Sequence, residues 1–139
     1  TISQLLAEAG VSVYAGALRN AGAVARALWP LMAAGGSVLL VPAGERWPDG
    51  SLRPAVEDLI GAGAIAQALL DVGVQSLSPE AQLAAATFRA ALPTLEATLL
   101  EAASGIELGD AGFADDVRVA AQLDADDVAA LMVDGAFTA

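Results

Sequence analysis

The sequence predicts an α/β fold: a mostly parallel sheet, with strands near 11–15, 38–42 and 128–133, covered by helices. Three observations predict it. Residues 37–41, Ser-Val-Leu-Leu-Val, form an apolar run between Gly35-Gly36 and Pro42, the pattern of a strand buried on both faces. Val11-Ser12-Val13-Tyr14-Ala15 alternates as a half-buried strand does. The stretches between these runs read as helices, and strands separated by helices favour parallel pairing.

Taken in order, residues 2–9 read as a short helix ending at Gly10, which suits the left-handed position after a helix. Residues 20–34 are helical in composition, and Gly35-Gly36 stops them. After the second strand, residues 42–53 form a long polar loop rich in Pro, Gly and charge. Pro54 fits a first helical position and opens a helix to about Leu70. Ser78-Pro79-Glu80 is a helix start: a capping hydroxyl, a proline with its φ preset, and an acid facing the positive helix end. That helix runs to about Leu92, and Pro93 begins another to about Ala103. Gly112-Phe113-Ala114-Asp115 opens a further helix to Gln122, and residues 128–133 are the last strand. With no internal repeat or low-complexity linker, residues 1–139 read as a single unit.

Composition narrows the chemistry. Six arginines, no lysine and 17 acidic residues give a net charge of −11. A hydrophobic content of 56% excludes a disordered tail. There is no cysteine, hence no disulfide, thiolate zinc site or cysteine nucleophile, and no histidine, hence no Ser-His-Asp triad. Carboxylates, guanidinium groups, hydroxyls, backbone amides or a bound ion remain. The acidic balance argues against nucleic acid as a partner. Membrane insertion is equally unexpected: the apolar window at 59–70 is too short to span, and that at 28–41 is broken by Pro30 and Gly35-Gly36. No basic, apolar leader stands at the start, so a cytoplasmic location is expected.

Two motifs resemble chemistry without its context. Gly61-x-Gly63-x-x-Ala66 has dinucleotide-binding spacing, but it falls two turns inside a predicted helix rather than at a strand-to-helix turn. Close helix packing accounts for it. Asp124-x-Asp126-Asp127 resembles an aspartate-nucleophile motif, yet the lysine such phosphatases need is absent from the chain. An acidic, solvated cap before the last strand is the expectation.

The loop at 42–53 follows a predicted strand, where α/β proteins place their sites. It carries Glu45, Arg46, Trp47, Asp49 and Arg53. Arg53 and Glu57, four apart, would share a helix face that Gly61 continues, with Asp58 about 100° away. The competing reading is an exposed surface pair worth under ~1 kcal/mol. Asp115-Asp116 would sit in the first turn of a helix, where acids favour the dipole and Asp115 can pair with Arg118. The Ser104-Gly105 turn with Glu107 is ambiguous.

Several segments together resemble the 2-phosphosulfolactate phosphatase family. They are Leu18-Arg19-Asn20, Pro42-Ala43-Gly44-Glu45-Arg46-Trp47, and the run from Arg53-Pro54-Ala55-Val56-Glu57-Asp58 to Ile65. Ala103-Ser104-Gly105-Ile106-Glu107-Leu108, Gly112-Phe113-Ala114-Asp115-Asp116-Val117 and Asp134-Gly135-Ala136-Phe137 complete the likeness. Where family members usually carry a cysteine before the Ser-Gly pair, this chain has Ala102-Ala103. The resemblance implies a Mg²⁺-dependent phosphatase that releases phosphate from 2-phospho-3-sulfolactate, a small anionic organophosphate on the route to coenzyme M. It implies substrate contacts from Arg19, Asn20, Arg46 and Arg53. The catalytic carboxylates would be Glu45, Glu57 and Asp58, and the Mg²⁺ ligands would come from Glu57, Asp58, Asp115 and Asp116. Trp47 would wall the site. The alternative is a small-anion-binding or assembly module that kept the fold without turnover.

Family chains extend further at the N-terminus, so this one resembles a C-terminal portion of a larger α/β domain. Three strands would leave two sheet edges open. The expectation is that an N-terminal segment or a partner chain completes the sheet, with a homodimer as the lesser option.

Overall fold

Ser78 accepts the Ala81 amide at 3.3 Å with Pro79 beside it, so the helix start read from Ser-Pro-Glu forms as expected. The computed structural model describes residues 1–139. In chain order it contains α1 (Ile2–Glu8), β1 (Tyr14–Ala15), α2 (Ala21–Ala33), β2 (Glu45–Arg46), β3 (Leu52–Arg53) and α3 (Val56–Asp71). Then follow α4 (Pro79–Ala91), α5 (Leu95–Glu101), α6 (Ala103–Asp110), α7 (Ala114–Ala120), β4 (Ala130–Val133) and β5 (Ala136–Thr138). Short 3₁₀ turns at Leu18–Asn20 and Leu92–Thr94 precede α2 and α5. Thr1 and Gln4 cap α1 reciprocally, and Gly10 turns the chain out of it at φ +78°.

The core belongs to the helices. Val24 and Leu28 of α2, Ile60, Ile65 and Leu69 of α3, Phe88 of α4, Leu95 and Leu99 of α5, and Val117 of α7 belong to one buried cluster. α3 and α4 pack closely because Gly63 has no side chain: a Cβ there would lie 2.1 Å from the Ala84 carbonyl oxygen. Of the Gly-x-Gly-x-x-Ala motif it is Gly63 that gives the close helix packing expected, whereas a Cβ at Gly61 would meet nothing within 4 Å.

The fold mixes helix and sheet as predicted, but the sheets are small and lie beside the helices, and every pairing is antiparallel. The predicted parallel sheet is therefore corrected. Of residues 11–15 only Tyr14 and Ala15 form β1, opposite Leu131 and Ala130 of β4, and the Val13 carbonyl accepts the Met132 amide at 2.9 Å. The strand predicted at 128–133 begins at Ala130. β4 turns directly into β5 through Asp134-Gly135, both at positive φ (50° and 82°), the backbone of a tight two-residue hairpin. With β4 occupying the edge of β1, no crossover strand is paired there.

Residues 38–42 are not in a sheet. Residues 37–41 are outside every sheet, with Val38 and Leu40 turned to the core and Leu39 and Val41 outward. Their apolar run reported burial of one face, not hydrogen bonding to neighbours. The helix predicted from Pro54 begins at Val56, because Leu52 and Arg53 are held in a hairpin with Glu45 and Arg46.

Candidate active site

Strand pairing aims the first residues. Glu45 lies opposite Arg53 and Arg46 opposite Leu52, so Glu45 and Arg53 share one face of the β2–β3 hairpin and Arg46 faces the other way. The Arg53 residue is only 8% exposed. Its Nη1 donates to both carboxylate oxygens of Glu107, at 2.8 and 3.0 Å, and its Nη2 donates to Ser104 Oγ at 2.6 Å. Ser104 Oγ in turn donates to Glu57 Oε1. The Trp47 ring centre lies 5.4 Å from the guanidinium carbon, within cation–π reach. Arg53 Nε is buried and has no partner. The Glu107 hydrogen bond raises the Arg53 pKa above its ordinary value, with Glu107, Glu45 and Glu57 adding Coulombic support against partial desolvation.

Ser104 and Glu107 arrive here because α6 packs hard on α5. A Cβ at Gly105 would meet the Leu99 carbonyl oxygen at 1.9 Å, so only glycine lets the first turn of α6 seat. Three residues apart on α6, the two side chains then share a face. The Ser104-Gly105 turn expected from sequence is thus the start of a helix.

The expected Arg53–Glu57 helix-face pair is also corrected. Arg53 stands in β3, outside α3, and its ion pair is with Glu107; Ser104 carries the link to Glu57. At Gly61 a Cβ would meet nothing within 4 Å, so that face is open.

A second cluster forms at the start of α2. Arg19 grips Asp126 at two points, Nε to Oδ2 at 2.8 Å and Nη2 to Oδ1 at 3.1 Å, while Nη1 reaches the Val119 carbonyl and Gln122. Asn20 accepts the Ala17 amide and donates to the carbonyls of Ala15 and Val128. Asp124 accepts the Gly22 amide at 2.7 Å, and Asp127 pairs with Arg26. The Asp124–Asp127 acids, expected to cap the last strand, clamp their loop onto α2 instead. The Arg19 hydrogen bond holds the Asp126 carboxyl below the usual carboxylate range. Arg19 and Asn20 thus spend their hydrogen bonds inside the protein.

The remaining residues are dispersed. Asp58 accepts the Gly44 amide at 2.6 Å and anchors the preceding loop. Arg46 donates to the Gly50 carbonyl at 2.7 Å and closes its hairpin. Asp115 pairs with Arg118 as its spacing implied, and Asp116 is exposed beside it on α7. The structure therefore gathers Arg53, Glu57, Glu45 and Trp47, and adds Ser104 and Glu107. The Ser-x-x-Glu spacing at 104–107 was the signal for the last two, since it places both on one helical face.

No curated protein matches the chain. The family model for 2-phosphosulpholactate phosphatase does, over residues 2–135, a span that includes every member of the Arg53 cluster. With nearly all of its length matched, the chain belongs to the 2-phosphosulpholactate phosphatase family.

Proposed function

We propose that the protein is a Mg²⁺-dependent phosphomonoesterase and that Arg53 is its phosphate-binding residue, with 2-phosphosulfolactate or a similar small acidic phosphate ester as substrate. One observation carries the assignment: a guanidinium nine-tenths buried, held in place by Glu107 and Ser104, keeps its Nε unpartnered. An unpaired buried donor costs free energy, and an anionic oxygen is the partner that relieves it best. Arginine's planar fork suits both phosphate and sulfonate.

The residues present fit a Mg²⁺ site in donor number. No three acidic side chains cluster anywhere in the chain. Glu57 and Glu107, meeting through Ser104 and Arg53, match the one or two carboxylates that Mg²⁺ takes beside waters and substrate oxygens. Glu57 and Glu107 would hold the ion, whose charge would neutralise the phosphate when bound. Arg53 fixes the phosphoryl group and stabilises the charge that develops on it. Glu57, which accepts a hydrogen bond from the Ser104 hydroxyl, would take a proton from an attacking water. Trp47 lies beside the guanidinium, within cation–π reach, and would wall that side of the site.

The test is phosphate release from a panel of phospho-2-hydroxy acids, including phosphosulfolactate, with Mg²⁺ and with EDTA. Release that requires Mg²⁺ supports the proposal. Binding without metal-dependent release from any of them would leave the alternative, an anion-binding module without turnover.

A further inference from the structure

We propose that Ser104 is the nucleophile of the Arg53 site, so that hydrolysis proceeds through a phosphoserine; the inference rests on the phosphatase reading of that site. Ser104 Oγ sits between a cation and a carboxylate: it accepts from Arg53 Nη2 at 2.6 Å and donates to Glu57 Oε1. A hydroxyl is a weak nucleophile until an adjacent base can take its proton, and Glu57 is that base. The guanidinium favours the negative charge that grows on Oγ as the proton leaves. No other serine or threonine hydroxyl of the chain touches both an arginine and an acid. Tight packing of Gly105 on the Leu99 carbonyl fixes the turn of α6 that carries Ser104, and a nucleophile gains from being held in place.

The free donor of Arg53 brings the substrate to this hydroxyl. Nε and Nη2 direct their N–H bonds in parallel along one edge of the guanidinium. Ser104 occupies Nη2, and Nε is buried without a partner. A phosphoryl oxygen bound at Nε therefore lies beside Oγ, and its phosphorus comes within the near-attack range of about 3–3.5 Å. In the first displacement the Oγ–P bond forms and the bond from phosphorus to the ester oxygen breaks. The Oγ proton passes to Glu57 and from it to the departing alkoxide. In the second, a water oxygen bonds to phosphorus and its proton passes to Glu57. That proton returns to Oγ as the P–Oγ bond breaks, which releases phosphate and restores the serine.

Two displacements retain the configuration at phosphorus, whereas direct attack by water inverts it. The test turns the Mg²⁺-loaded protein over on phosphosulfolactate, or on the fastest ester of the phospho-2-hydroxy acid panel, made chiral at phosphorus with oxygen isotopes. Retention is expected. Acid quench during turnover, followed by trypsin, should place a phosphoryl group on Ser104 in the peptide from Ala90 to Arg118. Ser104→Ala should keep its circular dichroism and lose at least about 10³-fold in kcat. Release with inversion keeps the phosphatase reading and overturns this proposal. So does a phosphoryl group on Thr94 or Thr98 of the same peptide, or a Ser104→Ala kcat within about tenfold of the parent. Phosphate release from no ester overturns the reading of the site, and the proposal with it.

Discussion

Arg53 and Glu107 stand 54 positions apart, yet one guanidinium nitrogen of Arg53 meets both carboxylate oxygens of Glu107, at 2.8 and 3.0 Å. That geometry leaves the side edge of the fork, Nε and Nη2, holding Ser104 alone. Arg19 is the contrast: Asp126 closes the same edge with two hydrogen bonds. Both arginines hold a carboxylate, but Arg19 is gripped along its Nε–Nη2 edge, whereas that edge of Arg53 keeps an unpartnered Nε.

Arg53→Lys should therefore lower kcat by about 10²–10³, because a point-charge ammonium cannot present two parallel donors to a phosphoryl oxygen pair. Arg19→Lys should lower the melting temperature and leave kcat within a few-fold once folded protein is counted. Steady-state phosphate release and thermal melts on both variants check the split.

Glu107→Gln should lower the melting temperature, since it removes the charge that balances a guanidinium nine-tenths buried. Adding Arg53→Met should recover part of the loss. A double-mutant cycle in which the two changes simply add would show that the pair is not coupled.

Gly63 and Gly61 should respond oppositely to alanine. At Gly63 the new Cβ meets a backbone oxygen at 2.1 Å and must push α4 away, at a cost of about 1–3 kcal/mol. At Gly61 nothing lies within 4 Å, and alanine should stabilise by about 0.5–1 kcal/mol through its higher helix propensity. Urea denaturation of the two variants measures both signs.

Acid should weaken the clamp on α2. The Asp126 carboxyl is held below its ordinary value by Arg19. Its stabilisation is thus present above the unfolded carboxylate pKa of about 3.9 and lost as pH falls through the lower folded value. Asp126→Asn should melt lower than the parent at pH 7, and its melting temperature should fall less between about pH 5 and 3. Equal acid slopes for the two proteins would remove Asp126 from the account.

Local rules placed the helices other than α6. Ser78-Pro79-Glu80 and Gly35-Gly36 bound elements through groups a few residues apart, so start and stop could be read directly. The same rules could have found the β4–β5 hairpin from Asp134-Gly135, a pair suited to positive φ. They could not assign strands. The residues at 37–41 have the composition of a strand, but a strand exists only when another segment supplies hydrogen bonds, and here none does.

By itself the sequence determined a mixed helical and sheet chain, a net charge of −11, chemistry left to guanidinium, carboxylate, hydroxyl and backbone groups or a bound ion, and a family. Tertiary structure alone decided which of those groups meet. Arg53 and Glu57 are neighbours along the chain, but the hairpin that holds Arg53 and the glycine that seats α6 pair Arg53 with Glu107 and link it to Glu57 through Ser104. The same packing turned Arg19 and Asn20 inward to fasten a distant loop. The reason is physical: periodicity and caps act over a few residues, whereas the partner of a buried charge is chosen by whichever element packing brings within hydrogen-bond reach.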